Sequence, residues 1–159
     1  MNRDATQSHA ELLVQDEISR AIIEELQRNG RQSYAAVAKE VGLSEAAVRQ
    51  RIQKLIDAQV MKIVAVTDPM QLGFTRQAMV LIRSHGDLTA TADRVAELPN
   101  VDYCVVTAGR TDVLAEVVCT DDDDLLETIN TIRQIEGVTS SETLTYLSLR
   151  KQEYDWGTK

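Results

Sequence analysis

The chain has few of the residues and patterns that membrane-bound or disulfide-linked proteins need. Its 159 residues include only two cysteines, two histidines and two prolines. No apolar run approaches the roughly 18 residues of a membrane-spanning helix, and no signal-peptide pattern opens the sequence. We therefore expect no membrane partner and a cytoplasmic location. Cys104 and Cys119 lie in separate apolar runs, which predicts reduced core thiols and argues against a disulfide.

The usual signatures of catalysis and metal binding are also missing. The sequence contains neither a phosphate-cradling glycine loop nor a nucleophile elbow. His9 and His85 have no cysteine or acidic neighbours at ligand spacing, which argues against zinc. The run Asp121–Asp124 is compatible with a divalent-metal site or with a helix start, where acids cap free amides. Because the ligand spacing of an EF-hand is absent, we favour the helix start and expect no enzyme, no metal and no cofactor.

Charge is unevenly distributed along the chain. The net charge is −8, from 17 basic and 25 acidic side chains. Residues 1–67 hold 9 of each sign, whereas residues 68–159 hold 8 basic and 16 acidic side chains. Residues 31–62 hold 6 basic and 3 acidic side chains, a local net charge of +3. This asymmetry predicts two domains with different partners, of which the first suits a polyanion.

The segment 34–62 has the pattern of two helices joined by a tight turn. Apolar residues recur near helical spacing up to Val41, and Gly42 follows as the residue best suited to a left-handed turn. Ser44 is a strong N-cap for a second helix, because its hydroxyl can accept from free amides of the first turn. This layout is typical of a helix-turn-helix, whose second helix lies in the major groove of double-stranded DNA.

The second helix of this segment has distinct apolar and polar faces. Val48, Ile52 and Leu55 step by four and three residues and therefore share the buried face. Arginine on the remaining surface suits both phosphate oxygens and the guanine edge. An ordinary helical hairpin or an interaction module has the same periodicity and stays open as an alternative. The predicted DNA-binding residues are Ser44, Glu45, Ala46, Arg49, Gln50, Arg51, Gln53 and Lys54.

A first helix and a linker complete the predicted N-terminal part. The apolar spacing predicts a helix over Asp16–Arg28, which would pack across the two helices that follow. The β-branched stretch Val60–Thr67 predicts a strand that leaves this domain. Asp68-Pro69 then interrupts it, so a connector follows.

Strand and helix patterns alternate in the rest of the chain. Their order is strand, helix, strand, strand, helix, strand, which is the ferredoxin-like βαββαβ arrangement of an α+β fold. Two helices cover one face of a four-stranded sheet, so we expect dimerisation through the other face. The expected core positions include Ala92, Val95, Ala96, Leu98, Leu125, Leu126, Ile129, Ile132, Leu144, Tyr146 and Leu149. The predicted divisions are an arm at 1–15, the helix-turn-helix domain at 16–62, a linker strand and connector at 63–74, and the ferredoxin-like domain at 75–159.

Four segments in this order resemble the Lrp/AsnC family of transcriptional regulators. They are DEISRAIIEELQRNGR, VGLSEAAVRQRIQKL, AGRTDVLAEV and EGVTSSETL. The resemblance implies an N-terminal DNA-binding domain and a C-terminal domain that binds small molecules and assembles dimers into octamers. The effectors it implies are amino acids or related metabolites.

The resemblance also implies roles for particular residues. It marks Arg51 as a phosphate-contacting or helix-anchoring arginine, and it places a Gly-x-x-Asp turn of the effector region at Gly109 and Asp112. Thr111 stands where many relatives carry an aromatic residue, and Gln59 stands where relatives favour glycine. The implied effector-binding residues are Tyr103, Thr107, Gly109, Arg110, Thr111 and Asp112.

Alternatives remain for the effector turn and for the function. A Gly-x-x-Asp turn is also common between strands, where Asp112 would bond only to backbone amides. We favour a sequence-specific regulator that responds to an amino acid or related metabolite. An architectural protein that compacts DNA without metabolite control is the main alternative. A metabolite-handling enzyme is the third, although no catalytic residues support it.

Overall fold

The computed structural model describes residues 13–154, 157 and 158, and it has the predicted α+β composition. Its described residues form two compact units. One comprises the residues up to Ala65 together with those from Lys151 onward, and the other is Val66–Arg150. The described residues from Lys151 onward thus fall in the first unit, although the sequence pattern predicts them in the second domain. Most of the predicted N-terminal arm, residues 1–12, lies outside the described residues. Among the described residues, no helix has the length and apolarity to cross a membrane.

Three helices pack together in the described part of the N-terminal unit, as predicted, and residues 13–15 before them are also helical. The three helices are α1 (Glu17–Arg28), α2 (Tyr34–Val41) and α3 (Glu45–Asp57). Each begins at an acidic or hydroxyl cap, because the first turn leaves amides free; the capping side chains belong to Asp16, Ser33 and Ser44. Their facing sides bury one apolar cluster made of Ile22, Leu26, Val37, Ala38, Val48 and Ile52. Leu55 is also fully buried.

The turn between α2 and α3 has the predicted geometry. Gly42 adopts φ 70° and ψ 30°, the left-handed conformation that an L side chain disfavours. The amide of Leu43 then donates to the carbonyl of Ala38 at 2.9 Å, which closes the end of α2. Ser44 accepts from the amide of Ala47 at 3.2 Å and starts α3. A glycine and a serine two residues apart therefore fix the angle at which α3 leaves α2.

The prediction of a strand over Val60–Thr67 is wrong for the described chain. Residues 61–68 have no regular secondary structure, and Pro69–Leu72 form a short 3-10 helix. A β-branched stretch becomes a strand only when a neighbouring strand accepts its hydrogen bonds, and no strand among the described residues does so. Ile63, Val64 and Val66 of this segment are exposed; Val64, for example, keeps 69% of its accessible surface.

The second unit has the predicted ferredoxin-like topology. Its elements are β1 (Arg76–Ser84), α4 (Leu88–Ala96), β2 (Val101–Val106), β3 (Val113–Cys119), α5 (Asp122–Gln134) and β4 (Val138–Thr145). The strand order is β2-β3-β1-β4, and all three pairings are antiparallel. This arrangement places the loop from β2 to β3 beside the end of β1.

The helices of the described residues cover only one face of this sheet. Alternate residues of β1 and β3 are fully buried against α4 and α5, while their neighbours point to the other side. We call that other side the open sheet face. Its residues are Gln77, Met79, Leu81, Arg83, Tyr103, Val105, Leu114, Glu116, Val118, Ser140, Glu142 and Leu144.

Several predicted core positions are wrong. β4 ends at Thr145, so Tyr146 and Leu149 lie beyond the strand and are exposed. Leu144 pairs with Met79 on the open sheet face and keeps 48% of its surface exposed. Ala96 and Leu126 also point to solvent, because Thr91 and Thr128 take the buried helical positions instead. Threonine can do this because its hydroxyl bonds to the carbonyl one turn earlier, so no polar group is left unsatisfied.

Gln59 keeps a turn for which glycine is better suited. It follows α3 with φ 58°, and it is the one non-glycine among the described residues with positive φ. An L side chain in this conformation costs roughly 1–2 kcal/mol relative to the right-handed one. The turn after α3 therefore forms with Gln59 in place of the expected glycine, at a cost in stability.

We predict that Gln59→Gly stabilises the protein. The relief of backbone strain exceeds the extra entropy of glycine in the unfolded chain, so the gain should be about 0.5–1 kcal/mol. Urea unfolding followed by circular dichroism measures it. Gln59→Ala keeps the Cβ atom and should change little; equal effects of the two substitutions would refute the strain argument.

Candidate nucleic-acid interface and effector loop

The polar side chains on the solvent side of α3 are exposed. Gln50, Gln53 and Lys54 are exposed, whereas Val48, Ile52 and Leu55 on the other side are buried. Of the three exposed residues, Gln53 donates to Asp57 at 2.8 Å within the helix. The predicted residues Glu45 and Ala46 are also exposed in the first turn, next to the cap Ser44. This side of the helix therefore offers amide and ammonium groups that can reach base edges and phosphates.

Arg49 lies at the edge of this surface with two intramolecular contacts. Its guanidinium donates to the Glu45 carboxylate at 2.9 Å, one helical turn away. It also lies over the ring of Tyr34 in α2, 5.1 Å from the ring centre. Both contacts are at the surface, where such pairs contribute little, so a phosphate can compete for this arginine.

Arg51 has a different position, and it anchors α3 to α1. Its guanidinium forms an ion pair with the carboxylate of Asp16, the N-cap of α1. The same carboxylate accepts from the amide of Ser19 at 3.1 Å and from its hydroxyl at 2.7 Å. The hydrogen bonds from Ser19, followed by the charge of Arg51, hold the pKa of Asp16 below its ordinary value. Of the two roles that the resemblance implies for Arg51, this geometry is that of the helix anchor.

The loop from β2 to β3, residues 107–112, is fixed by hydrogen bonds at both ends. Within the loop, the amide of Thr107 donates to the carbonyl of Asp112 at 2.8 Å, and the Thr107 hydroxyl donates to the carbonyl of Thr111 at 2.7 Å. The amide of Ser84 donates to the carboxylate of Asp112 at 2.8 Å, and the guanidinium of Arg83 donates to the carbonyl of Arg110 at 2.8 Å. The end of β1 therefore holds the loop in place.

Four of the predicted effector-binding residues belong to this loop. For a fifth, Gly109, the structure gives no backbone reason for glycine. Thr107, Arg110, Thr111 and Asp112 all belong to the hydrogen-bonded loop. Gly109 does not have positive φ, so the turn itself does not require glycine. A Cβ atom at Gly109 would meet nothing within 4 Å inside the chain. The sixth predicted residue, Tyr103, lies in β2 on the open sheet face and is 52% exposed.

A carboxylate pair on the open sheet face was not identified from the sequence. A bulge in β2 between Val101 and Tyr103 brings Asp102 close to Glu116 of β3. Burial and the charge of Glu116 raise the pKa of Asp102 above its ordinary value. Partial burial, followed by the charges of Glu116 and Asp102, raises the pKa of Tyr146 to about 12. The bulge that creates this pair leaves no recognisable pattern in a single sequence.

The acidic run at the start of α5 serves as a cap and as a set of side-chain partners. Asp121 accepts from the amide of Asp124 at 2.9 Å, and Asp122 forms a two-pronged pair with Arg76 at 2.5 and 2.8 Å. Asp124 accepts from Asn100 at 2.7 Å. The carboxylates of Asp121, Asp122 and Asp124 thus have hydrogen-bond partners within the chain. Over residues 13–154, 157 and 158, no three His, Cys, Asp or Glu side chains are grouped as metal ligands.

A helix-turn-helix unit followed by a ferredoxin-like unit is the architecture of a two-domain DNA-binding regulator. The family model for the AsnC-type helix-turn-helix domain matches residues 16–56. The model for the Lrp/AsnC ligand binding domain matches residues 77–156. The two matches cover both units of the fold in the order found here. The chain belongs to the Lrp/AsnC family of transcriptional regulators.

Individual relatives agree with this assignment. The transcriptional regulator LysM of Saccharolobus solfataricus is 33% identical over 130 residues, which cover 80% of this chain and 90% of the relative. An uncharacterized HTH-type regulator of Pyrococcus abyssi is 29% identical over 150 residues, with 92% and 95% covered. Both relatives are named as regulators of transcription, and their lengths match that of this chain.

Solved structures confirm the fold. The structure of AsnC from E. coli covers 87% of this chain and 96% of its own, with a TM-score of 0.74 and 27% identity. The leucine response regulatory protein LrpA of Mycobacterium tuberculosis has a TM-score of 0.79 at 24% identity, with 86% and 95% covered. The α+β architecture predicted from the sequence is thus the architecture of this family.

We predict that Asp16 and Arg51 stabilise the helix-turn-helix jointly. Asp16→Asn keeps an oxygen that can cap α1 but removes the charge, and Arg51→Gln removes the guanidinium. Because each side chain is 35% exposed, their coupling in a double-mutant cycle should be about 0.5–1 kcal/mol at neutral pH.

The pH dependence follows from the lowered pKa of Asp16. Its stabilisation is present above the ordinary value of 3.8 and is lost as the pH falls through the lower folded-state pKa. Urea unfolding of the four proteins at several pH values measures both effects. Additive single-mutant effects at neutral pH would show that the pair does not anchor α3.

Proposed function

We propose that the protein is a sequence-specific DNA-binding transcriptional regulator whose assembly or DNA binding responds to an amino acid or related metabolite. The observation that carries the proposal is the position of α3. Its apolar side is buried, Arg51 forms an ion pair with Asp16 at the start of α1, and its other side exposes Gln50, Gln53 and Lys54. A helix held in this way can enter a major groove without rearranging its own domain.

The residues of α3 suit two different tasks in such a complex. Gln50 and Gln53 carry amides that can form paired hydrogen bonds with adenine, which is a sequence-dependent contact. Arg49 and Lys54 suit phosphates, as does the capped N-terminus of α3 next to Ser44. We assign base reading to the glutamines and positioning to the cations.

The charge distribution favours a complex in which several copies of α3 bind DNA together. Residues 1–67 are neutral overall, and the −8 of the rest of the chain repels DNA. A single helix-turn-helix with this balance should bind weakly, whereas two or more held in one assembly gain from effective concentration. The regulator therefore acts as a homodimer joined through the open sheet face, and such dimers assemble into octamers.

The loop at residues 107–112 is the proposed effector site. It is a fixed backbone turn, and Gly109 leaves open space where a side chain would otherwise stand. One oxygen of Asp112 is used by the amide of Ser84, and the second remains for an ammonium group. Binding there shifts the assembly equilibrium and thereby the number of helices that meet DNA together. The protein carries out this function in the cytoplasm.

Architectural DNA compaction is the alternative, and one feature of the chain favours it. Six basic residues lie in the window 31–62, a local charge that attracts any duplex. Compaction without sequence preference predicts a steep salt dependence and a low ratio of specific to non-specific affinity.

We predict that Arg49→Ala with Lys54→Ala weakens binding to a selected operator at least tenfold and leaves the fold intact. Both side chains are exposed, so their removal costs phosphate contacts and no core packing. The matched control is Arg94→Ala with Arg133→Ala, which removes the same charge from the second unit. Band-shift titrations at two salt concentrations, with an operator selected from random duplexes, measure the effect.

Three outcomes would contradict the proposal. Unchanged affinity of the Arg49/Lys54 variant would exclude α3 as the DNA contact. An equal loss in the control would mean that only net charge matters. Failure of the parent to select any sequence would favour compaction.

A further inference from the structure

An acidic side chain stands at the end of α3 that enters the groove in the proposed complex. Glu45 is the first residue of α3, directly after the cap Ser44. In a helix-turn-helix, the N-terminal residues of the second helix contact the base edges. A carboxylate at this position is repelled by the phosphates on both sides of the groove, so it lowers the general affinity for DNA.

Glu45 does not form the capping hydrogen bond of α3. The hydroxyl of Ser44 accepts from the amide of Ala47 at 3.2 Å and fills that role. The Glu45 carboxylate instead accepts from the guanidinium of Arg49, one helical turn further on, at 2.9 Å. The Glu45 side chain keeps 51% of its surface exposed. An acid in the first turn also suits the helix dipole, but that interaction leaves the carboxylate accessible to a partner in the groove.

Arg49 neutralises this carboxylate in the free protein. Its guanidinium lies over the ring of Tyr34 at 5.1 Å, and 64% of its side chain is exposed. Phosphates compete with Glu45 for this guanidinium, because it binds a phosphate as well as a carboxylate through two parallel hydrogen bonds. Once Arg49 contacts a phosphate, the Glu45 carboxylate lies beside the duplex and needs another donor. An acceptor that loses water there without gaining a donor is costly.

The base edges in the major groove decide whether Glu45 finds that donor. Cytosine presents its N4 amino group. Guanine presents two acceptors, and thymine presents an acceptor and a methyl group. Adenine presents its N6 amino group beside the N7 acceptor, a combination that suits an amide better than a carboxylate. Cytosine is therefore the base that supplies a donor to Glu45 without placing an acceptor of its own against it.

We infer that Glu45 determines part of the operator sequence, by accepting a hydrogen bond from the N4 amino group of a cytosine and disfavouring other bases at that position. The inference rests on the proposed function, because it takes α3 as the DNA-contacting helix. It adds a base preference, and it gives Glu45 a role in specificity that differs from the phosphate contacts assigned to Arg49 and Lys54.

Competition band shifts with the full chain test the inference. An operator is selected from random duplexes, and each of its base pairs is then replaced by the other three. The parent should prefer cytosine at one or more positions by about fivefold or more over every other base. Glu45→Gln should remove this preference and make adenine the favoured base there, because the glutamine amide pairs with adenine. Loss of the charge should also raise the affinity for an unrelated duplex by about twofold or more.

Glu40→Gln is the matched control for charge. Glu40 is an exposed acid near the end of α2 in the same unit, so this substitution removes the same charge from a different surface. It should leave every base preference of the parent unchanged. Lys54→Ala, which removes a proposed phosphate contact, should weaken binding to all the duplexes by similar factors. Melting temperatures of the variants close to that of the parent confirm that the fold is retained.

The outcomes separate this inference from the proposed function. If the parent selects an operator and Glu45→Gln keeps all its base preferences, the inference is wrong and sequence-specific binding stands. A change of preference at a position where the parent favours a base other than cytosine also overturns it, as does the same change in Glu40→Gln. If the parent selects no sequence, the inference fails together with the sequence-specific part of the proposed function.

Discussion

The fold of this protein depends on a sheet of which the described residues cover only one face. β1 and β3 bury every second side chain under α4 and α5, and these contacts form the core of the second unit. The other side of the same strands carries Met79, Leu81, Leu114 and Val118, which none of the helices from α1 to α5 covers. An apolar sheet face of this kind is stable in water mainly when another surface packs against it. In the dimer that we propose, a second copy of the chain supplies such a surface and brings a second DNA-contacting helix.

The helix-turn-helix holds α3 in a fixed position and leaves one side of it exposed to solvent. Capping residues fix both ends of the turn, and three apolar residues bury the inner side of α3. The ion pair between Arg51 and Asp16 adds a polar contact from α3 to the start of α1. As a result, the side chains that face solvent are not needed for folding. They are available for DNA, and their loss should affect binding more than stability.

The sequence predicts the local features of this fold well, because they depend on neighbouring residues. Gly42, Ser44 and the spacing of Val48, Ile52 and Leu55 were enough to place the turn and the buried side of α3. The order of strands and helices was likewise sufficient for the ferredoxin-like topology. The expected strand after α3 is absent, because strand formation requires a partner that a single chain's pattern does not reveal.

Features that depend on contacts between distant residues could not be predicted. The role of Arg51 is decided by Asp16, which is 35 positions away in the sequence. The bulge in β2 brings Asp102 to Glu116, and the end of β1 brings Arg83 to Arg110. Threonines at 91 and 128 replaced expected apolar core residues because their hydroxyls bond within their own helices. In each case the residue type was compatible with several environments, and only the tertiary structure selects one.

Sedimentation of the full chain, with and without operator DNA, tests the central claim most directly. If the open sheet face joins two copies, the parent should sediment as a dimer or larger assembly. Leu144→Glu, on the exposed part of that face, should then shift the protein toward a folded monomer with weaker operator binding. A parent that remains monomeric at concentrations where it binds its operator at full affinity would contradict the account.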